Sequence, residues 1–480
     1  MFDSRYKLYI TLYLFCCLGF TQSLSVAAEN TIEEIIVTAD FRDRNELSTP
    51  TSITVMTEEI IKSRAAQHFE ELVNAIPNLN YAAGSNRARF FQIRGIGERS
   101  QFAAPINPSV GFLVDNVDFS GAATIATMLD VEQVEVLRGP QGTRYGANAL
   151  AGLINIKTHD PQDQFGANLK VGAADFNTKT IGAMLTGPMS EMVSGRLAME
   201  SHRSDGYYEN DYLRTKKNNA QDELSIRGKL NAELSSNWRL DLTLSHVSID
   251  NGYDAFTLDN SRTTLSDEPG KDQQESDAFA IDSTWQLNNF DLKFIASLAD
   301  SDMEYGYDED WTFAGIHPDG YMSQDNYIRN RKTRSLELRF LSNDSSRLFS
   351  NSTDWLFGVH TLNNDEGLRR EYTYLTSDFY SNYAFDTAAA FFQLDSMLSE
   401  KLTLETGIRV EKRDTTYRDS ELLSFSPAET LWGGRVAIKY LFNSSSMAYV
   451  SIARGYKAGG FNTDGTLDVD LREFGEEFLI

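Results

Sequence analysis

Leu240-Asp241-Leu242-Thr243-Leu244-Ser245 is the stretch whose reading decides the fold. Apolar and polar residues alternate strictly, which is the period of a β-strand with one apolar and one polar face. Leu402, Leu404, Ile408 and Val410 repeat the pattern against Thr403, Glu405 and Arg409. Two settings accept such a strand. In a soluble sandwich the apolar face packs on a core and the polar face meets water. In an outer-membrane barrel the apolar face meets lipid and the polar face a lumen. Alternation does not choose between them, and the period alone favours the sandwich.

The connections shift the balance. The turns at 188–191, 234–237, 287–289, 399–400 and 443–445 are short and rich in Asn, Ser and Pro. Those at 204–222, 251–275, 305–330, 364–385 and 413–431 are long, with 343–353 intermediate. A short-long rhythm is that of an outer-membrane barrel, and a soluble sandwich has no reason for it. Trp238, Trp285 and Trp355 near strand ends suit an interfacial girdle. From Gly166 onward the pattern gives about thirteen strands, each with ends uncertain by a few residues.

Upstream the texture differs. Residues 29 to 160 mix helical and strand signals, as in a compact α+β domain. Thr57 is a candidate N-cap before Glu58 and Glu59, and Phe69, Leu72, Val73 and Ile76 follow at helical spacing until Pro77. Strand-like runs follow at Phe90 to Arg94, Val110 to Val117, Val131 to Leu137 and Leu153 to Lys157. Residues 1–28 read as a secretory signal: Arg5 and Lys7, an apolar run from Leu8 to Phe20, then Ser25-Val26-Ala27-Ala28. The apolar run is too short for a membrane anchor, and Phe15 before Cys16 and Cys17 disfavours a lipoprotein. Those are the only cysteines, so the predicted mature chain has neither disulfides nor thiolate metal sites. With no spanning apolar helix after residue 28, a membrane crossing must be a closed barrel. A net charge of −25 argues against nucleic acid, whose phosphates demand basic patches.

Several motifs then fall in order. Ile32-Glu33-Glu34-Ile35-Ile36-Val37-Thr38-Ala39 follows the predicted cleavage site. Leu137-Arg138-Gly139-Pro140-Gln141-Gly142-Thr143-Arg144-Tyr145-Gly146-Ala147-Asn148 continues to Gly152-Leu153-Ile154-Asn155-Ile156. By themselves its glycines mean tight turns or close backbone approach, and no Gly-Lys-Ser/Thr follows to make a phosphate loop. Ile93-Arg94-Gly95-Ile96-Gly97, Val114-Asp115-Asn116-Val117 and Gly455-Tyr456-Lys457-Ala458-Gly459-Gly460-Phe461-Asn462 complete the set. This ordered set resembles the TonB-dependent outer-membrane receptors and covers nearly the whole chain. Arg144 before Tyr145 and Ala147 after Gly146 depart from the commoner family pattern.

The resemblance implies an α+β plug domain followed by an antiparallel transmembrane β-barrel. The expected division is a signal peptide at 1–28, a TonB-box segment at 29–47, the plug at 48–160 and the N-terminal portion of the barrel at 161–480. Residues 32–39 would couple to TonB by strand addition, an extended β-branched terminus pairing with a partner sheet edge. The alternative is an ordinary first strand of the plug. Arg94, Gly95, Arg138, Gly139, Pro140, Gly142, Tyr145 and Gly146 carry the plug motifs. Arg94 and Arg138 are candidates to pair with lumen-facing glutamates, of which Glu405 is one, or else simply to cap plug loops. Plugged barrels have about 22 strands, so thirteen lead us to expect that this chain is the N-terminal part of a longer protein.

The implied function is TonB-dependent uptake across the outer membrane of a Gram-negative bacterium, by default of a ferric siderophore. A corrinoid, a carbohydrate or another organic nutrient is the alternative cargo. Partners implied are TonB with its inner-membrane energising complex, outer-membrane lipid and the small-molecule ligand. Tyr305, Tyr307, Trp311 and Phe313 are candidate ligand-stacking residues. Asp308, Glu309 and Asp310 beside them offer hard oxygens for calcium, but a charge run usually marks a solvated loop. Six histidines without metal-ligand spacing disfavour a haem cargo. No nucleophile–base pair, metal cluster or cofactor motif supports an enzyme. A porin would lack the 29–160 domain, and a secreted soluble β-protein would lack the loop rhythm.

Overall fold

The structure, a computed structural model, describes residues 36–37, 41–42, 44–45, 48–84, 87–99, 107–253, 256–443, 445–461, 473–474 and 477–479. The expected signal segment lies outside them, as does most of the expected coupling segment.

The inner domain is built on five strands: β1 (Ser52–Thr57), β2 (Val110–Val114), β3 (Val117–Asp118), β4 (Val131–Arg138) and β5 (Gly152–Thr158). Their order is β1-β4-β5-β2-β3, with only β5 and β2 parallel. β4 and β5 are central and nearly continuously buried, which their Val, Leu and Ile runs suit. Phe69, Phe91 and Phe112 pack together at ring separations of 5.0 to 5.8 Å and anchor the core. Each such ring contributes about 1.5–3 kcal/mol on burial. The segment from Thr57 to Ile76 is not one helix. It divides into α1 (Glu58–Ser63) and a 3-10 stretch at Phe69–Ala75, because Ala65 turns left-handed at φ 51°. Thr57 precedes α1 without a side-chain capping bond. The run from Phe90 to Arg94 yields only Gln92–Ile93 as strand, cut short where Arg94 and Gly95 take positive φ.

Thirteen strands of the large sheet follow. They are β6 (Gly166–Ala174), β7 (Thr178–Pro188), β8 (Val193–Ser204), β9 (Gln221–Ser235) and β10 (Trp238–Asn251). Then come β11 (Lys271–Gln286), β12 (Phe290–Asp308), β13 (Gln324–Ser342) and β14 (Thr353–Tyr372). The last are β15 (Phe379–Met397), β16 (Leu402–Asp419), β17 (Ala428–Asn443) and β18 (Ser446–Lys457). Each pairs antiparallel with the next. Among the described residues, β6 has a neighbour on one side only, while β18 also pairs with Glu477–Leu479. No helix among them is long and apolar enough to cross a membrane.

Polarity settles the setting that alternation left open. On β16, Ile408 and Val410 are 49% and 46% exposed, while Arg409 and Arg413 are 1% and 0% exposed. A soluble sandwich would show the opposite. The outward residues Leu185, Leu197, Gly228, Leu244, Phe279 and Leu298 lie side by side in register across six strands. They form one apolar row for lipid. Beyond that row the faces of β10 exchange character. Outward positions become His246, Ser248 and Asp250, and inward positions become Val247 and Ile249, which pack on the inner domain. On β10 the change from Leu244 to His246 therefore marks where lipid contact ends on the long-loop side. At the opposite end Trp238 stacks on Trp285 at 5.4 Å, and the Trp355 indole N–H donates to Ser346 O at 2.9 Å.

The expected connections are partly strand. Residues 364–385 are mostly β14 and β15 around a turn at 373–378, and β16 runs on to Asp419. Polar residues above the membrane still alternate and pair, so the strands outrun the lipid. The connection at 175–177 between β6 and β7 breaks the rhythm by being short at the long-loop end.

Candidate functional site: the interface between inner domain and barrel

The stretch from Leu137 to Asn148 sits at the centre of this interface. β4 ends at Arg138, Gly139 turns the chain at φ 101°, and a short helical turn α2 (Gly142–Tyr145) leads through Gly146 to β5. Between the two strands the tight turns read from the glycines enclose a helical turn, which aims Arg144 outward into the barrel wall. Arg144 Nη2 lies 3.3 Å from Glu405 Oε1, and Arg435 Nε reaches the same oxygen at 3.1 Å. Arg435 also donates to Pro50 O. Arg409 holds Glu411 at 2.9 and 3.0 Å and donates to Arg144 O at 3.2 Å. Gly146 sits against this pair at φ 73°, where an added Cβ would stand 2.5 Å from Glu411 Oε2. Only glycine fits there. Tyr456 packs over Gly142 and clusters with Ala147, Leu431 and Ala458. Two motifs far apart in sequence thus meet face to face.

Nearer the long-loop end, four guanidiniums meet the inner domain's tip. Arg87 holds Asp272 through two bonds of 2.9 Å. Arg89 and Arg331 share Glu366 at 3.1 and 2.7 Å. Burial and the neighbouring Arg329 together push the Arg89 pKa down to about 9 despite Glu366. Arg413 has no carboxylate partner among the described residues. It donates to Asn107 Oδ1 at 2.6 Å and Tyr383 Oη at 2.8 Å and lies 3.5 Å above the Phe385 ring. Lys457 reaches Glu98 at 2.7 Å. On the wall formed by β8 and β9, Arg196 holds Asp130 at 2.6 Å and Lys229 holds Asp115 at 3.1 Å.

His68 completes that wall, its Nε2 2.9 Å from both oxygens of Glu223. Burial alone would lower its pKa, but Glu223 overrides burial and raises it to about 9. The pair's contribution is therefore full below the ordinary histidine pKa of about 6.5 and fades as pH climbs through about 9. Linkage makes it worth about 3 kcal/mol. We expect the melting temperature of the full-length receptor to fall over that alkaline range, and His68→Gln to flatten the fall. A pH profile unchanged by His68→Gln would refute the assignment.

Among the described residues neither Arg94 nor Arg138 lies against a barrel glutamate, and Arg138 takes the alternative role of holding plug loops. Arg138 donates at 3.1 Å to Ser52 Oγ, Ile53 O and Pro77 O, all within the inner domain. It ends β4 beside its own domain's turn. Arg94 occupies a left-handed turn at φ 54°. Gly95 turns beside it, and Pro140 lies against Gly455. Tyr145 is half-buried at the foot of the lumen, and its desolvation there raises the phenol's pKa. Of the expected coupling segment, Ile36–Val37 pair with Arg44–Asn45, and Gln133 donates to Ile36 O at 2.9 Å. Ile32, Glu33, Glu34, Ile35, Thr38 and Ala39 lie outside the described residues.

The aromatic candidates separate into two pairs. Tyr305 and Tyr307 stack at 5.5 Å on the inner wall, with Tyr327 beside them. Trp311 and Phe313 instead join loops together, against Phe256 and Tyr212. Arg370 was not anticipated. It holds Asp325 at 2.8 and 2.9 Å and lies 5.2 Å from the Tyr327 ring. The alternation along Gln324–Ser342 carries that signal, since Asp325, Tyr327, Arg329 and Arg331 share the inward phase.

Comparison with known proteins agrees with this geometry. Residues 45–153 match the TonB-dependent receptor plug domain, and residues 200–468 match the family described as TonB dependent receptor-like, beta-barrel. The chain belongs to the TonB-dependent receptor family, whose members reside in the outer membrane of Gram-negative bacteria. It is similar to the pesticin receptor of Yersinia enterocolitica, 23% identical over 93% of this chain and 66% of that protein. It thus spans just under two thirds of that relative. A Vibrio vulnificus vitamin B12 transporter, BtuB, is 22% identical over 46% of this chain and 36% of its own length. Among solved structures, the ferric yersiniabactin uptake receptor FyuA from Yersinia pestis superposes with a TM-score of 0.77 at 22% identity, covering 90% of this chain and 68% of that one.

Proposed function

We propose that the full-length protein carries a ferric siderophore across the outer membrane, driven by TonB acting on residues 32–39. The observation that carries this reading is a plug seated in the barrel lumen by many buried ion pairs, with apolar packing on Val247, Ile249 and the alanines of β11 and β12 beside them. Such a seam holds firmly at rest and can re-form after it is opened. Long loops above the membrane and the inner wall of Tyr305, Tyr307, Tyr327 and Arg370 supply the receptor end. Rings and a guanidinium suit a ligand with flat and anionic faces. A solved structure matched over 90% of this chain, the ferric yersiniabactin uptake receptor, supports the siderophore over a corrinoid.

The test is uptake by cells expressing the full-length receptor, offered radio-iron ferric yersiniabactin, ferric enterobactin or labelled vitamin B12. Energy-dependent accumulation of a ferric siderophore is expected. Accumulation of the vitamin alone would transfer the assignment to corrinoids, and accumulation of none would sink it.

A further inference from the structure

The two walls of the lumen hold the plug differently. β13 to β16 grip it with large charged side chains, among them Arg331, Glu366, Glu405 and Arg409. β11 holds the plug tip through Asp272 on Arg87, but below that β11 and β12 face the plug with small side chains, Ala278, Ala280, Ser297 and Ala299. Toward the short-turn end, a cavity of about 620 Å³ lies between this wall and the hairpin of β2 and β3. Asp115, Asn116 and Lys157 of the plug line it, with Lys229, Asp282 and Lys293 of the barrel. That volume lies within the range of about 300–1,000 Å³ usual for small-molecule sites. A smaller void continues from it past Val117 and Phe119 toward Ala278.

The hairpin between the cavity and the plug tip is lightly held. Asp115 and Asn116 form its turn, both left-handed at φ 46° and 67°. Its barrel contacts are Lys229 on Asp115 at 3.1 Å and a long Asn116–Asp282 bond of 3.4 Å. Further up, Phe119, Ala122 and Ile125 join one apolar cluster with Val247, Ile249 and Ala299, while Thr124 donates to Gln274 Oε1. Moving the hairpin away from the wall therefore breaks one ion pair and one long hydrogen bond.

We propose that the ligand passes on this side, between the β2–β3 hairpin and strands β10 to β12, with the cavity as its transit site. The proposal rests on the transport reading above and adds which side of the plug yields. The cavity's mixed lining of lysines and aspartates suits a polar chelate rather than a lipid-like one. Displacing the hairpin away from Ala278 joins cavity and void.

The test uses the full-length receptor with cysteine pairs bridged by a reducible bis-methanethiosulfonate. The only cysteines of this sequence, Cys16 and Cys17, fall in the predicted signal peptide, and any outside it would be replaced by serine. Asn116→Cys with Asp282→Cys spans the proposed path. Ala147→Cys with Leu431→Cys, which cluster together on the other wall, is the comparison. The probe is ferric yersiniabactin, or ferric enterobactin where the unbridged parent transports that instead. Bridging 116 to 282 is expected to cut uptake about tenfold or more, reversibly on reduction, with surface binding unchanged. Bridging 147 to 431 is expected to leave at least about half of the uptake. Normal uptake with 116 bridged to 282, or equal blockade by both bridges, would overturn the path. Failure of the unbridged parent to transport either chelate would instead overturn the transport reading and this proposal with it.

Discussion

Glu405→Gln in the full-length receptor is expected to loosen the plug by about 3–5 kcal/mol, the cost of breaking a buried ion pair from one side. Glu405 is 3% exposed and receives Arg144 from the plug and Arg435 from the adjacent strand. A neutral amide leaves both guanidiniums in place without that charge, and neither can turn to bulk water without unseating α2. Loosening should appear as a lower melting temperature and as sensitivity of cells to antibiotics too large for porins. Replacing the group with apolar residues, Glu405→Leu with Arg144→Met and Arg435→Met, should recover much of the loss, because buried triads often exchange for apolar ones at little cost. A Glu405→Gln receptor as tight and as stable as the parent would refute the role given to Arg144.

Deletion of residues 32–39 is expected to abolish uptake and leave ligand binding at the parent level. The deletion removes the Ile36–Val37 pairing and the Gln133 bond to Ile36, but spares the anchor just beyond. There Phe41 stacks on Phe391 at 4.9 Å, and Arg42 donates to Ser342 O at 3.0 Å and Trp355 O at 3.1 Å. Lys439 donates to Ser48 O at 2.9 Å. The plug should therefore remain seated, and only the pull is lost. Binding is read on chilled cells and uptake on warmed, respiring ones. Uptake at the parent rate would remove residues 32–39 from the coupling role.

The fold was legible where one physical rule dominates. Period-two alternation with turns gave thirteen strands, because a barrel strand between lipid and lumen has no other way to satisfy both faces. Strand ends above the membrane were missed because polar outward residues there look like loop. The helix at Thr57 to Ile76 was overdrawn because the apolar spacing survives a left-handed break at Ala65. The inward phase of Arg331, Glu405, Arg409 and Arg413 was readable from alternation. Their partners were not, since strand tilt and stagger decide which plug residue each one faces. Arg94 and Arg138 drew attention by their motifs, yet among the described residues the plug arginines on barrel carboxylates are Arg87, Arg89 and Arg144, the last at a position that departs from the commoner pattern.

The polar seam has a mechanical meaning. An apolar interface resists separation until it fails all at once, because every exposed patch is penalised together. Along a seam such as Arg87–Asp272, Arg196–Asp130 and Lys229–Asp115, each broken contact can be replaced by water at comparable enthalpy, one pair at a time. The plug then behaves as a piston in a wetted sleeve: friction is low, travel is stepwise, and the same contacts draw it home when the load is released.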